Sequence, residues 1–349
     1  MNSTIVAVDL AKNVFEIAVA GADWKVTERH RLNRSRFARF FVQCPPCRIV
    51  MEACGSAHHW ARELLKSGHQ VELLPAQYVQ QYVKRNKTDR ADAAALIEAA
   101  RCSDIRPVPI KSIEQQQIQA LHRLRSQWLS TRHRYINMLR GILREFGIPI
   151  PLGANVAKAQ IGLALAEAAN AIPPALRPTL LEMLTDVRTL EAKIIAVERE
   201  LAALTRSDTT VQQLQDIPGI GPLTSTALRA TVGDIQRFPS ARHFASWTGL
   251  TASERSSAER RRLGHISKKG DIYLRTLIVH GARSALLAAR RAERAGRPLD
   301  HLRRWALDCE RRSGHNKATV ALANRLARIV WATWKHDRVF DGNWALKAH

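Results

Sequence analysis

The sequence predicts an α/β region, then a helical coiled-coil region, then a mainly helical C-terminal region. Three patterns predict this order. Short β-branched runs alternate with helical segments over residues 1–110, as in α/β proteins. An unbroken heptad pattern runs through part of residues 111–210. Glycine- and serine-rich connections join amphipathic helices over residues 211–349. With 349 residues, of which 46% are hydrophobic, the chain can bury a core in each region.

The first region is predicted from apolar runs that end at glycine or polar residues. The predicted strands are residues 4–10, 14–20, 48–51 and 70–74. The predicted helices are residues 57–67, which Gly68 ends, and the alanine-rich residues 89–101. This alternation predicts a sheet with helices packed against it.

The middle region carries a regular apolar repeat. Residues 113–146 predict a long helix that ends at Gly147-Ile148-Pro149. In the next helix apolar residues are spaced alternately four and three apart, which is typical of a coiled coil. The nine positions are Leu176, Leu180, Met183, Val187, Leu190, Ile194, Val197, Leu201 and Leu204. Such a seam needs a partner, either the 113–146 helix of the same chain or a second copy.

Positive charge is concentrated in the last region. The chain has a net charge of +23, and residues 211–349 contribute +14 of it, from 25 basic and 11 acidic residues. A field of this sign attracts polyanions and speeds their encounter. The charge exceeds what solubility needs, so nucleic acid is the expected partner, and an acidic membrane surface is the less favoured alternative.

The remaining bulk features predict a cytoplasmic protein. The chain shows no secretory signal pattern and no run of about 20 apolar residues that could span a bilayer. Its five cysteines are scattered, which suits a reducing compartment. Cys44-Pro-Pro-Cys47 has C-x-x-C spacing, but no second pair completes a zinc site. Ordinary core or surface cysteines are the simpler interpretation.

Four acidic residues are placed where they can converge. Asp9 and Glu52 each follow a buried strand, and Asp89 and Asp92 lie three apart on one face of the alanine-rich helix. Converging carboxylates repel one another unless a cation neutralises them, and Mg²⁺ prefers oxygen ligands. Two such ions can stabilise the attacking and leaving oxygens of a phosphodiester. Each acid taken singly fits a turn, surface or salt-bridge residue equally well.

A glycine-containing turn in the last region predicts contact with phosphate. Ile217-Pro-Gly-Ile-Gly221 precedes a helix and resembles the hairpin of a helix-hairpin-helix motif. Gly219 and Gly221 let the backbone approach closely, and the helix N-terminus offers free N–H groups. A packing turn without nucleic-acid contact is the alternative.

A second, basic turn has the same predicted role. Ile266-Ser-Lys-Lys-Gly270 places Lys268 and Lys269 before a helix, and Arg275 lies in the first turns of that helix. Side chains and backbone groups of this kind bind backbone phosphates.

Ser256 and Ser257 lie in a strongly basic segment, residues 253–264. The flanking arginines are Arg255, Arg260, Arg261 and Arg262. A serine hydroxyl is a weak nucleophile and needs a base or a metal for activation. Arginines beside it can hold a phosphate and neutralise its developing charge. The composition alone fits a flexible phosphate-binding loop as well as a catalytic one.

Together these motifs resemble the DEDD transposases of the insertion-sequence one-ten group. The four acids follow the D-E-D-D order, and the last two stand in the string Lys87-Thr-Asp-Arg-Ala-Asp92. The C-terminal motifs are Ile217–Gly221, Trp247-Thr-Gly-Leu250, Ser256-Ser257, and Ile266–Gly270 with Leu274-Arg275. The resemblance extends over nearly the whole chain.

The resemblance implies a fold and a set of partners. It implies an RNase H-like N-terminal domain similar to the junction resolvase RuvC, a coiled-coil middle, and a helical C-terminal domain with a nucleophilic serine. It implies Mg²⁺ bound by Asp9, Glu52, Asp89 and Asp92, DNA as donor and target, and guidance by a structured RNA from the element.

In the mechanism that the resemblance implies, Ser257, with Ser256 second, attacks a DNA phosphate and forms a phosphoserine link. The family usually has glycine after the serine, where this chain has Ala258, so the choice between the serines stays open. Recombining two duplexes needs two pairs of active sites, which predicts a dimer that pairs into a tetramer. A junction-resolving nuclease without a covalent step, and a basic nucleic-acid-binding scaffold, are the alternatives.

Overall fold

The chain divides into two compact units, residues 1–113 and 114–349. The computed structural model describes residues 4–82, 89–167, 169–257 and 260–343, without the side chains of Asp89 and Arg90. The first unit is α/β and the second is mainly helical, which confirms this part of the predicted fold class. The predicted division between residues 111–210 and 211–349 stays a prediction.

A five-stranded mixed sheet with strand order β3-β2-β1-β4-β5 organises the first unit. Its strands are β1 (Ile5–Leu10), β2 (Val14–Ala20), β3 (Val26–Asn33), β4 (Arg48–Glu52) and β5 (Gln70–Leu74). Its helices are α1 (Arg34–Gln43), α2 (Ala57–Lys66), α3 (Ala76–Val79) and α4 (Asp89–Arg101). β1 pairs antiparallel with β2 and parallel with β4, and β4 pairs parallel with β5. Sequence patterning missed β3 and α1.

Each face of this sheet is covered by a separate core. Successive residues of a strand point to opposite faces. Val6 and Val8 of β1 belong to the core that includes α1 and α2, where Phe15, Phe37 and Trp60 pack edge to face. Ile5 and Ala7 of β1 belong to the core formed with α4. Asp9 continues the second series and therefore lies on the α4 face.

The second unit is a helical assembly with one small β-hairpin. Its helices are α5 (Ile113–Glu145), α6 (Ala154–Ala166), α7 (Arg177–Leu204), α8 (Thr209–Gln215), α9 (Pro222–Val232), α10 (Ala241–Trp247), α11 (Ile272–Arg294), α12 (His301–Ser313) and α13 (His315–Lys335). The hairpin pairs β6 (Ala252–Glu254) with β7 (Leu263–Ile266). The largest core of the unit is formed by residues of α8 to α13. In the part of the chain that the structure describes, no helix is both long and apolar enough to cross a membrane.

The heptad seam of α7 packs within its own chain. Leu180, Val187, Ile194, Val197 and Leu201 are buried there, and the first two share a core with the C-terminal part of α5. Two ion pairs join the same helices, Arg125 to Glu198 at 2.7 Å and Arg132 to Glu191 at 3.4 Å. The paired residues are one heptad apart on each helix and run in opposite directions, so α5 and α7 are antiparallel. A coiled coil between two copies stays a prediction.

Candidate functional site

Asp9 and Glu52 lie at the carboxyl ends of neighbouring parallel strands. Val8 of β1 is paired with Met51 of β4, so the next residues, Asp9 and Glu52, are adjacent. Both are half-buried. Both also follow the alternation that places Ala7 and Val50 in the core formed with α4. The two carboxylates therefore share one edge and one face of the sheet.

The charge of this pair reaches the following loop. Burial raises the pKa of the Cys54 thiol, and the negative charges of Glu52 and Asp9 raise it further. Both carboxylates are thus close enough to act on one thiol. Because Asp9 at the end of β1 and Glu52 at the end of β4 both raise the pKa of Cys54, the two strand ends form one electronegative edge.

Asp92 lies on α4, the helix that covers this face. Its Oδ1 atom is buried and has no hydrogen-bond partner. An unpaired buried carboxylate oxygen is costly unless a cation satisfies it. Asp89 begins the same helix, but its side chain falls outside the described residues.

This donor set fits a hard divalent cation. Three carboxylates from two strands and one helix supply only oxygen ligands, as Mg²⁺ prefers, and the orphaned Oδ1 of Asp92 is an atom that such an ion would satisfy. No group of three metal-binding side chains is already assembled among the described residues. A metal site at these residues therefore stays a prediction.

The two serines lie at the exposed end of the β6–β7 hairpin in the second unit. Ser257 and Arg260 form an antiparallel β-bridge, and the Arg255 N–H donates to the carbonyl of Arg262 at 2.9 Å. The sequence predicted a loop here, because polar residues hide the two short strands. Four arginines of this segment are exposed, namely Arg255, Arg260, Arg261 and Arg262, and their contact with phosphate stays a prediction.

The environments of the two serine hydroxyls differ. The Ser256 hydroxyl donates to Oε1 of Glu254 at 2.6 Å and accepts the Arg262 N–H at 3.2 Å. The bond from Ser256, with Arg261 nearby, lowers the pKa of Glu254, so this carboxylate is a weak base. Ser257 is exposed, and its hydroxyl makes no hydrogen bond to any described residue. Of the two hydroxyls, that of Ser257 is therefore the more accessible, and the role of either serine as a nucleophile stays a prediction.

The basic turn 266–270 is held by the Trp247–Leu250 turn. A Cβ atom on Gly249 would overlap the carbonyl oxygen of Lys269, and one on Gly270 would overlap that of Trp247. Lys268 adopts a left-handed backbone conformation with φ of 54°, which costs about 1–3 kcal/mol for a residue other than glycine. Lys268 and Lys269 are both exposed. Glycines at both contacts thus let the two turns interlock and present the lysines.

Arg275 has a structural contact within this arrangement. It is half-buried on α11, and its guanidinium donates to the carbonyl oxygen of Thr248 at 3.3 Å. This bond ties α11 to the Trp247–Leu250 turn. The predicted contact of Arg275 with phosphate stays a prediction.

Gly219 is accounted for by packing. Its φ is +89°, and a Cβ atom would overlap the backbone of Gly281 on α11, while one on Gly281 would overlap Gly219. Gly221 precedes α9 and has open space where a Cβ atom would be. The packing alternative therefore explains Gly219, whereas Gly221 remains available for the predicted phosphate contact.

Sequence reasoning missed a buried hydrogen-bond chain centred on His122 of α5. Its Nδ1 lies 2.9 Å from the Tyr273 hydroxyl on α11, and its Nε2 lies 3.1 Å from Oγ1 of Thr226 on α9. Thr226 in turn donates to the carbonyl of Pro222, so the threonine oxygen accepts from an Nε2–H. Burial, with Arg125 nearby, lowers the pKa of His122 to about 4. The sequence signal was that His122 stands in a series spaced alternately four and three apart on α5, whose apolar members include Ile118, Leu129 and Ile136.

Known proteins match both units. The model of a DEDD transposase family matches residues 6–148, and that of the IS116/IS110/IS902 transposase family matches residues 211–296. A probable family 20 transposase of Pseudomonas aeruginosa is 41% identical over 97% of this chain and 99% of its own length. The transposase for IS1111A of Coxiella burnetii is 36% identical over 94% of this chain and 88% of its own. The transposase for IS1328 of Yersinia enterocolitica is 36% identical over 97% of this chain and 99% of its own length.

The fold, the matched families and these relatives define an enzyme that recombines DNA, a transposase. The chain belongs to the IS116/IS110/IS902 family of insertion-sequence transposases. The mixed sheet of the first unit agrees with the RNase H-like fold that the DEDD domain implies. The DEDD domain also implies dependence on a divalent metal.

Proposed function

We propose that this transposase cleaves and rejoins DNA through a phosphoserine intermediate on Ser257. The observation that carries the proposal is the difference between the serine hydroxyls. Ser256 is engaged by Glu254 and by the Arg262 N–H, whereas Ser257 is exposed among arginines. A nucleophile must reach the phosphorus atom, so the hydroxyl that makes no hydrogen bond to a described residue is favoured.

The proposed step conserves the phosphodiester. Oγ of Ser257 attacks the phosphorus, an O–P bond forms, and the bond to one DNA oxygen breaks, which leaves a free DNA hydroxyl. The serine proton passes to a base, and the departing oxygen takes up a proton. A DNA hydroxyl of the other strand then attacks the phosphoserine and releases the serine. Arg255, Arg260 and Arg262 stabilise the charge on the phosphorane.

The acidic residues have a separate role. Asp9, Glu52 and Asp92, with Asp89, would hold Mg²⁺, which when bound stabilises charge on the attacking and leaving oxygens. The orphaned Oδ1 of Asp92 supports this role. Asp9 and Glu52 orient their carboxylates to one side of the sheet, because both follow the strand alternation.

The partners of the reaction form part of the proposal. A structured RNA of the element guides target and donor choice, and two dimers pair into a tetramer on DNA. The net charge of +14 over residues 211–349 supports a nucleic-acid surface in the second unit. The family resemblance is the source of the RNA assignment.

The test is a covalent-adduct assay with labelled DNA of the element ends, the element RNA and Mg²⁺. After denaturation, the wild type should carry label on the protein. Ser257→Ala should lose the adduct and recombination but keep nucleic-acid binding. Ser256→Ala should reduce adduct formation and recombination only partly. Asp92→Asn should lose the adduct while the fold, measured by circular dichroism, is retained.

Each other outcome assigns the chemistry differently. Loss of the adduct in Ser256→Ala alone would make Ser256 the nucleophile. An adduct that persists in both serine variants and in the double variant would overturn the serine mechanism. Metal-dependent cleavage by the wild type without any adduct would indicate a junction-resolving nuclease that uses only the acidic residues.

A further inference from the structure

A large pocket lies in the second unit at the base of the serine hairpin. It is open to solvent and has a volume of about 880 Å³. One wall comes from the hairpin and the basic turn, through Ala252, His265 and Lys268. The opposite wall is one face of α13, including Arg325 and Arg328. The hairpin that carries the serines thus forms part of this pocket.

The pocket is strongly basic. Its described lining holds five arginine or lysine side chains and no carboxylate; the five are Arg242, Lys268, Lys317, Arg325 and Arg328. The Nε atoms of Arg325 and Arg328 are buried and have no hydrogen-bond partner. Burial and the charge of Arg328 lower the pKa of Arg325. Two like charges with buried, unpaired donors are costly on their own account, so an anionic ligand is expected to compensate them.

Four apolar residues, here called the apolar floor, also line the same pocket. They are Leu250, Ile266, Val320 and Ala321. The guanidinium of Arg325 also lies 4.4 Å from the centre of the Trp305 ring, a contact that fixes its position. A surface that only follows duplex phosphates needs charge alone. Charge combined with an apolar floor fits a ligand that carries both a phosphate and a planar base.

Hydrogen bonds join the walls of the pocket beside the hairpin. The side chain of Asn324 on α13 donates to the carbonyl oxygen of Leu250 at 3.1 Å. Residue 251 in turn accepts the Ser267 N–H at 2.7 Å. α13, the Trp247–Leu250 turn and the basic turn are therefore tied together by hydrogen bonds.

We propose that this pocket binds an unpaired nucleotide of the DNA strand that the serine attacks, with its phosphate on Arg325 and Arg328 and its base on the apolar floor. Ser256 follows Ala252 by four residues, a reach of about 13 Å along an extended hairpin. One DNA strand has a phosphate about every 3.4 Å of helix axis. Pocket and serine can thus hold phosphates a few nucleotides apart on one strand. This assignment rests on the proposed function.

The pocket is tested by measuring how tightly the full-length protein binds three probes. The probes are a single-stranded DNA of about 30 nucleotides, the matching duplex and the matching RNA. Arg325→Gln and Arg328→Gln should each weaken single-stranded DNA binding about tenfold, because each loses a charge-assisted contact. The duplex should be affected less than threefold. The control is Arg294→Gln, an exposed arginine on α11 outside the pocket, which should change binding of each probe less than twofold.

Thermal melting separates a ligand site from a structural one. Because the buried Nε atoms of Arg325 and Arg328 have no hydrogen-bond partner, the variants should melt at or above the wild-type temperature. A lower melting temperature, or losses equal to those of Arg294→Gln, would overturn the proposal. Loss confined to the RNA probe would assign the pocket to RNA and overturn the assignment to DNA. The binding result is independent of the adduct assay, so failure of the serine mechanism would be recognised separately.

Discussion

A neutral imidazole joins three helices in the second unit. His122 of α5 is 4% exposed and bridges Tyr273 of α11 and Thr226 of α9. The accepting and donating nitrogens both have partners, so protonation would place a second donor against the Tyr273 oxygen and beside Arg125. Tyr273 follows the basic turn, and Thr226 follows the glycine turn. The histidine therefore positions two phosphate-binding candidates through the helices that follow them.

Stability of the second unit should fall in acid because of this residue. The folded pKa of about 4 lies below the ordinary value of 6.5. Between these values the unfolded chain binds the proton and the folded one does not, so stability is complete above pH 6.5 and decreases as pH falls. The loss between pH 7.5 and 5 should be about 2 kcal/mol. The free energy of urea unfolding is measured at both pH values for the wild type and for His122→Gln. The difference between the two proteins gives the contribution of His122, and equal pH dependence in both would contradict the prediction.

At the scale of elements, the glycine turn before α9 is defined by its contact with α11. Gly219 and Gly281 approach until neither can carry a Cβ atom. This contact places the N-terminus of α9 beside α11. Gly219 thus has a packing role in this turn, whereas the space beside Gly221 is open.

Alanine substitutions should separate these two roles. Gly219→Ala has both the positive φ and the overlap with Gly281, so it should lower the free energy of unfolding by about 2–4 kcal/mol. Gly221→Ala, with φ of −93° and open space around it, should leave stability within about 0.5 kcal/mol. Thermal melting and DNA binding are measured for both. Reduced DNA affinity in a fully stable Gly221→Ala protein would support the phosphate contact, and unchanged affinity would exclude it.

Polar layers set the pairing of α5 with α7. His122, Arg125 and Arg132 interrupt the apolar heptad series of α5, and the two arginines meet Glu198 and Glu191 of α7. Polar residues at seam positions specify register at some cost in stability. The heptad spacing of α7 predicted a partner helix and left open whether it was the 113–146 helix or a second copy, because the polar positions on α5 weaken the matching apolar pattern there.

For the whole molecule, sequence patterning succeeded where local signals were strong. Strands β1, β2, β4 and β5 are apolar runs bounded by turns. Asp9 and Glu52 come at the ends of β1 and β4, so their proximity follows once these strands are neighbours in the sheet. Strand β3 was missed because most of its side chains are exposed, which removes the apolar alternation. The β6–β7 hairpin was missed because its strands are short and polar.

The pocket face of α13 was missed for a different reason. Its lining residues Lys317, Ala321, Asn324 and Arg328 are spaced four, three and four apart, so they form one face of the helix. They alternate along the sequence with core residues such as Leu322 and Leu326. An amphipathic helix with a basic face is ordinarily read as solvated. Only packing against the hairpin shows that this face is partly buried.

The distribution of charge leads to the last prediction, on the salt dependence of DNA binding. The serine hairpin carries Arg260, Arg261 and Arg262 in exposed positions, and the second unit holds most of the net charge. If these arginines contact duplex phosphates, changing all three to glutamine should reduce the log–log salt slope by up to about 2.7, since each phosphate contributes about 0.9. The control changes three exposed basic residues of the first unit, Lys25, Arg36 and Arg39, to glutamine. Both slopes are measured by filter binding of a duplex at salt concentrations from about 50 to 300 mM, over which the screening of surface charges increases. An equal change in the two triple variants would mean that the serine hairpin does not contact the DNA backbone.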